Sequence, residues 1–235
     1  MDEQAQRIWK TATQLYAGAS RHAWHFARGK LRHDPVFFYL LQHGLLPDKG
    51  KLLDLGCGQG ILMALLLAAK QHYLAGPWSP AWPTPPMQLE LHGIELRAAK
   101  VHAAHHALQQ SARIEHGDIR QAELPACAVV VLLDVLFYLT EQEQNQLLQR
   151  IAAMLPPGGL LLLREADAGA GFLFFVTQWI ERIAGIWHGR LWQKLYYRDA
   201  RTWLALLEQL NFTVEMQTMS GGTPFANILF VARRD

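Results

Sequence analysis

Five acidic positions in this chain stand where chemistry could be done: Asp54, Glu95, Asp118, Asp134 and Glu165, each at or just beyond the end of an apolar run. Asp54 comes two residues before the stretch Gly56-Cys57-Gly58-Gln59-Gly60. Glycines at alternate positions allow positive φ, turn the backbone sharply and let a ligand approach main-chain atoms. The apolar run from Ile61 to Ala69 then reads as a helix whose first N–H groups are left without partners and face such a ligand. A carboxylate ahead of the turn would repel a pyrophosphate but suits an ammonium group. A dinucleotide fingerprint would need its third glycine or alanine at position 61, and Ile61 fits poorly there. The chemistry indicated is recognition of a cationic, phosphate-free nucleoside. Nicotinamide-dependent redox chemistry is the weaker alternative, and a non-catalytic binding subunit is a third.

Positioning these acids requires strands. Residues 51–55, 89–96, 113–116, 128–133 and 160–163 read as buried strands, with helices between them. Thr140-Glu141-Gln142-Glu143 is a capping box that opens one of those helices. Asp199 caps another, which Asn211 ends in a left-handed conformation. Residues 212–217 and 227–232 alternate like two further strands. The order predicts an α/β fold: a doubly wound, mostly parallel, seven-stranded sheet with helices on both faces. Ligands in such sheets bind beyond the carboxyl ends of the strands, where the acids stand.

Segments 1–47 read as N-terminal helices broken at Gly29 and at Asp34-Pro35, 48–165 as the ligand-binding core, 166–198 as a helical cap after the fifth strand, and 199–235 as a closing helix and strand pair. All belong to one domain. Between residues 76 and 86 five prolines in eleven residues exclude helix and central strand. This is a surface insertion, and its Trp78 and Trp82 imply that it packs down on the body.

At 235 residues and 51% hydrophobic, the chain can bury one sizeable core, and its net charge of +2 is too small to argue for nucleic acid. Cys57 and Cys127 form no disulfide framework and no metal spacing, which fits a reducing cytoplasm. His102, His105 and His106 share one helix face at metal-ligand spacing, but on a helix expected to lie away from the strand ends a solvated face is the better reading. No metal is expected.

The stretch from Leu52 to Gly60 resembles motif I of the class I S-adenosylmethionine (SAM)-dependent methyltransferases, which share a Rossmann-like fold. The resemblance extends in order through Glu95-Leu96, Asp118-Ile119, Asp134-Val135 and Leu155 to Gly159. It implies SAM as cofactor, with Asp54, Gly56, Cys57, Gly58 and Gly60 around the methionine moiety and Glu95 on the ribose hydroxyls. Asp118 and Ile119 would meet the adenine, and Asp134 would lie beneath the methyl donor. Lys30 is a candidate for the cofactor's carboxylate. A narrower resemblance, through Gly29-Lys30-Leu31, Asp34 to Phe37 and Gly222 to Asn227, is to methyltransferases of aryl polyene and xanthomonadin-type pigment pathways.

A base is needed only if the methyl acceptor must lose a proton, and Asp134, Tyr138 and Glu165 are the candidates. The cap supplies Phe172, Phe174, Phe175, Trp179, Trp187, Trp192, Tyr196 and Tyr197, which suits a small aromatic or apolar acceptor. Arg182, Arg190, Lys194, Arg198 and Arg201 make the same region basic. An acyl carrier protein, a membrane surface or a plain solvated face all fit that charge.

Overall fold

A computed structural model describes residues 1–170, 194–220 and 226–235. By packing, the chain divides into two compact units, one of residues 1–123 with 127–129, the other of residues 124–126 with 130–235. Seven strands form one sheet, in the spatial order 113–116, 88–95, 49–55, 129–133, 160–166, 227–234 and 212–218.

The first unit opens with α1 (Glu3–Gln14), α2 (Arg21–His33) and α3 (Pro35–Gln42). Each start has its own cap. Asp2 accepts from the Ala5 N–H, Ser20 from Ala23 and Asp34 from Val36, with Pro35 in the first turn of α3. Gly29 lies inside α2 and does not break it, contrary to the sequence expectation. A single helical glycine costs about 1 kcal/mol, which the capped start and the buried stripe Ala23, Ala27 and Leu31 outweigh. The break falls instead between α1 and α2, where residues 15–19 form turns.

Then come β1 (Lys49–Leu55), α4 (Ile61–Ala75), β2 (Gln88–Glu95), α5 (Ala98–Leu108) and β3 (Arg113–His116). β1, β2 and β3 are parallel, in a register that sets Asp54 opposite Gly93 and Glu95 opposite His116. Leu52, Leu53 and Leu55 are fully enclosed, as strands covered on both faces must be. α4 is buried at every position from Ile61 to Leu66 and packs against α1.

The proline-rich insertion packs down as expected. Trp82 is buried, meets Phe38 and Trp78 edge to face, and donates its indole N–H to the Asp2 carboxylate at 3.1 Å. The Ser79 N–H donates to the Gln4 side chain at 2.6 Å, so the insertion is held to the start of α1.

The second unit holds β4 (Val129–Leu133, its first residue counted with the other unit), α6 (Glu141–Met154), β5 (Leu160–Ala166), α7 (Ala200–Gln209), β6 (Phe212–Thr218) and β7 (Asn227–Arg234). α6 has the full capping box between Thr140 and Glu143. Asp199 caps α7, and Asn211 takes φ 57°, both as expected. β7 runs antiparallel to β5 and to β6. β5 is longer than the sequence suggested, so Arg164 and Glu165 lie within the strand rather than closing it. Ala170, where a long helix to Trp187 was expected to start, is a bend, and the rest of that stretch, with most of the cap aromatics and Arg182 and Arg190, lies outside the described residues, as does Gly222 to Phe225. Among the described residues, no helix is long and apolar enough to cross a membrane.

Candidate functional site

The first unit carries the glycine turn. Gly56, Gly58 and Gly60 all take positive φ, at 77°, 61° and 75°. The N–H groups of Gly56 and Cys57 both donate to the Ile94 carbonyl, which fastens the turn to the neighbouring strand. A Cβ on Gly60 would sit 2.5 Å from Leu108 Cδ1, so that glycine lets α5 pack closely. On Gly58 the nearest atom would be Lys100 Nζ at 3.8 Å, which leaves that side of the turn comparatively open.

Two enclosed carboxylates flank the turn. Asp54 is 5% exposed, and burial, together with the charge of Glu95, pushes it up to about 7. Glu95 is equally enclosed: one of its oxygens accepts from the Gly58 N–H at 3.0 Å, the other from the Arg97 N–H at 2.8 Å. The Arg97 Nε stands 3.8 Å from the same carboxylate. Each carboxylate oxygen can accept twice, so Glu95 keeps capacity for hydroxyl donors. Leu96, the next residue, is 59% exposed. Cys57 is buried, and burial with the charges of Asp54 and Glu95 drives its thiol well up, which makes it inert.

The other expected residues of this unit are placed as follows. Asp118 lies just beyond β3; its carboxylate is gripped by the Arg120 side chain and accepts from the Arg120 N–H at 3.0 Å, which holds it below the usual carboxylate range. Ile119 is buried. Lys30 Nζ lies 2.8 Å from the Asp34 carboxylate. His102, His105 and His106 are exposed along α5.

Two residues went unforeseen. The Tyr16 hydroxyl, fully buried just past α1, donates to the Gln59 carbonyl at 2.9 Å. The Gln59 side chain donates to the Ala23 carbonyl at 2.8 Å. No sequence pattern links Gln59 to a tyrosine in a distant turn.

In the second unit, Asp134 takes φ 59°, a left-handed conformation that aspartate tolerates better than most residues. Its carboxylate is clasped by both Arg164 Nε, at 2.9 Å, and Arg164 Nη2, and its N–H donates to the Arg164 carbonyl at 3.0 Å. Arg164 is fully buried, so this bidentate pair fixes the end of β4. Glu165 is 2% exposed and accepts from the Leu136 N–H at 2.7 Å and the Val135 N–H at 3.2 Å. Burial, and then the Asp134 charge, pushes it up to about 8. The arrangement makes Glu165 the inner brace of the turn that displays Val135 and the short 3₁₀ helix Leu136–Tyr138. Tyr138 is half-buried there. Phe137 packs against Tyr138 and stacks on Tyr197, and its carbonyl accepts from the Tyr196 N–H at 2.8 Å.

The residues in the first unit fit a SAM-like ligand. Ionised, the enclosed Asp54 would suit a cationic group, and the second acid beside it, Glu95, retains acceptor capacity for hydroxyl donors.

A methyltransferase-domain family model matches residues 23–217. No curated protein matches the chain. Among solved structures, an O-methyltransferase family protein from Burkholderia thailandensis superposes with a TM-score of 0.67 at 15% identity, over 94% of this chain and 61% of that one. Human N-acetylserotonin methyltransferase, solved with SAM, gives 0.60 at 18%, over 99% and 59%. Magnesium protoporphyrin IX methyltransferase from Synechocystis, solved with S-adenosylhomocysteine (SAH), gives 0.61 at 18% and full coverage of both chains. The chain thus spans about three fifths of the Burkholderia and human structures and the whole of the cyanobacterial one. With its seven-stranded Rossmann-like sheet and matched domain, the chain belongs to the methyltransferase-domain family, whose fold is that of SAM-dependent enzymes.

Proposed function

We propose that the protein is a SAM-dependent methyltransferase acting on a small aromatic or apolar acceptor. The observation that carries the cofactor half is the pair of enclosed carboxylates, Asp54 and Glu95, flanking a turn of three left-handed glycines. Ionised Asp54 accepts from the methionine ammonium, and Glu95 accepts from the ribose hydroxyls beside the bonds it already receives from Gly58 and Arg97. Leu96 offers an exposed apolar surface to the adenine, with Asp118 and Ile119 at its amino edge. Lys30 would have to leave Asp34 to reach the methionine carboxylate, which makes it the weakest member of the set. Asp134 and Val135 are proposed for the methyl end.

Bound there, SAM supplies an electrophilic methyl group for in-line transfer, a reaction that gains most from alignment and exclusion of water. Flat or aromatic compounds appear among similar structures: a Planctomyces limnophilus protein was solved with apigenin. Phe137, Tyr138, Tyr196 and Tyr197 give this chain an aromatic cluster of its own. Both points support a flat acceptor. An aryl polyene is the narrower version, resting on the sequence resemblance alone; delivery by an acyl carrier protein or at a membrane surface rests on the basic residues read in the cap. Glu165, pushed up to about 8, holds its proton at neutral pH and is a poor base there, so Asp134 and Tyr138 are the positions to test for proton removal.

Isothermal calorimetry with SAH is the direct test. The wild type is expected to bind, and Asp54→Ala and Glu95→Ala each to lose about tenfold or more, the scale of a charge-assisted hydrogen bond. Absence of binding by the wild type, or undiminished binding by both variants, sinks the reading.

A further inference from the structure

We propose that Tyr16 and Gln59 are positioning residues for the cofactor, fastening the glycine turn to the N-terminal helices before any ligand arrives. The proposal rests on the SAM reading above. Gln59 is held twice, its main-chain carbonyl by the Tyr16 hydroxyl in the turn after α1 and its side chain by the Ala23 carbonyl of α2. It is 5% exposed, and Tyr16 is fully enclosed. Burial drives the Tyr16 phenol upward, so it remains a donor wherever the protein is folded.

Gln59 is also the residue able to perform this task. Its neighbours Gly58 and Gly60 have no side chains to pack, and both take left-handed φ. Glycines lose more conformational freedom than other residues when fixed, so a turn rich in them is expensive to order. A turn ordered during folding spares the ligand that cost and binds it more tightly. The clamp acts on the peptide that joins Gln59 to Gly60, immediately before α4. The same turn supplies the Gly58 N–H to Glu95, so a displaced Gln59 would also disturb the proposed ribose acid. Tyr16 precedes the residues matched by the family model, which begin at 23, so this half of the clamp is a contribution of the preceding segment.

Tyr16→Phe keeps the ring and deletes only the hydroxyl. Its affinity for SAH by calorimetry is expected to fall about 3- to 10-fold, the effect of losing one buried hydrogen bond. Trp9→Phe is the control, because the Trp9 indole N–H donates to the Arg28 carbonyl at 3.1 Å and does not touch the turn. It is expected to lower the melting temperature while leaving SAH affinity at the wild-type value. If Tyr16→Phe does not fold, Gln59→Met, which cuts the link to Ala23, carries the same expectation. Wild-type affinity in Tyr16→Phe, or an equal loss in Trp9→Phe, overturns the proposal. Should the wild type itself not bind SAH, the SAM reading fails, and hydrogen exchange at the amides of residues 57–61 decides the clamp alone. Faster exchange in Tyr16→Phe than in Trp9→Phe supports it, and equal exchange refutes it.

Discussion

Burying a carboxylate beside a second carboxylate disfavours its charged form, and Asp54 shows this as a proton affinity raised to about 7 from an ordinary 3.8. The sign of the consequence is fixed. A proton held more tightly in the folded than in the unfolded state stabilises the ligand-free protein most below about pH 4. That contribution is lost as pH rises through about 7. Binding of a cationic ligand runs the other way, because the ammonium needs the ionised acid. SAH affinity is therefore expected to rise across that interval, with release of a proton on binding. Asp54→Asn should flatten the affinity profile and remove the Asp54 share of the stability profile, leaving the share that Glu165 loses as pH rises through about 8. The ligand-free variant should be more stable than wild type above pH 7 in urea unfolding, yet bind SAH about tenfold or more weakly. A variant that loses stability at pH 8, or keeps a pH-dependent affinity, would show that Asp54 is not the titrating ligand group. The acid was legible in the sequence from its place before Gly56. Its enclosure with Glu95 was not, because that follows from the β1–β2 register across a long insertion. Asp134 gives the same lesson, since its partner Arg164 comes from a neighbouring strand thirty positions on.

The strand, glycine turn and helix succeed as an element because each glycine meets a different constraint. A Cβ on Gly60 would meet both a left-handed φ and the Leu108 side chain at 2.5 Å, whereas on Gly58 it would meet only the φ. Gly60→Ala is expected to destabilise the protein by about 2–4 kcal/mol. Gly58→Ala is expected to cost about 1–2 kcal/mol. Urea unfolding of the two variants checks the order, and equal costs would mean that the Leu108 side chain yields to the added methyl group. Element starts were well marked in the sequence, since Ser20, Asp34, Thr140 and Asp199 all cap helices through their own side chains. Of these, Thr140 and Asp199 were read as caps, Asp34 only as part of a break with Pro35, and Ser20 was passed over because Gly29 drew the break toward itself. Element ends were harder. β5 continues through Arg164 and Glu165 because the buried partners that satisfy those charges, Asp134 and the Val135–Leu136 backbone, are distant in sequence. Polar residues end strands only when nothing inside the protein receives them.

At the scale of the molecule, the strand and helix order was enough to foresee the doubly wound sheet, since parallel neighbours require covering helices between them. The acceptor was not legible in the same way. An aromatic-rich sequence reads alike whether the rings build a core or line a pocket, and periodicity does not distinguish the two. Finding the acceptor therefore means substituting many residues around the aromatic cluster, and most substitutions destabilise. The interior of α2 holds a reserve for that work. A Cβ on Gly29 would meet no atom within 4 Å, and the residue already sits in a regular helix. Gly29→Ala should raise unfolding free energy by about 0.5–1 kcal/mol, read as a higher urea midpoint with an unchanged slope. An unchanged midpoint would mean that the helix gains nothing from the methyl group. As the parent for directed evolution, the Gly29→Ala protein would offset one average destabilising change, and with it admit acceptor-site variants that the natural chain could not carry.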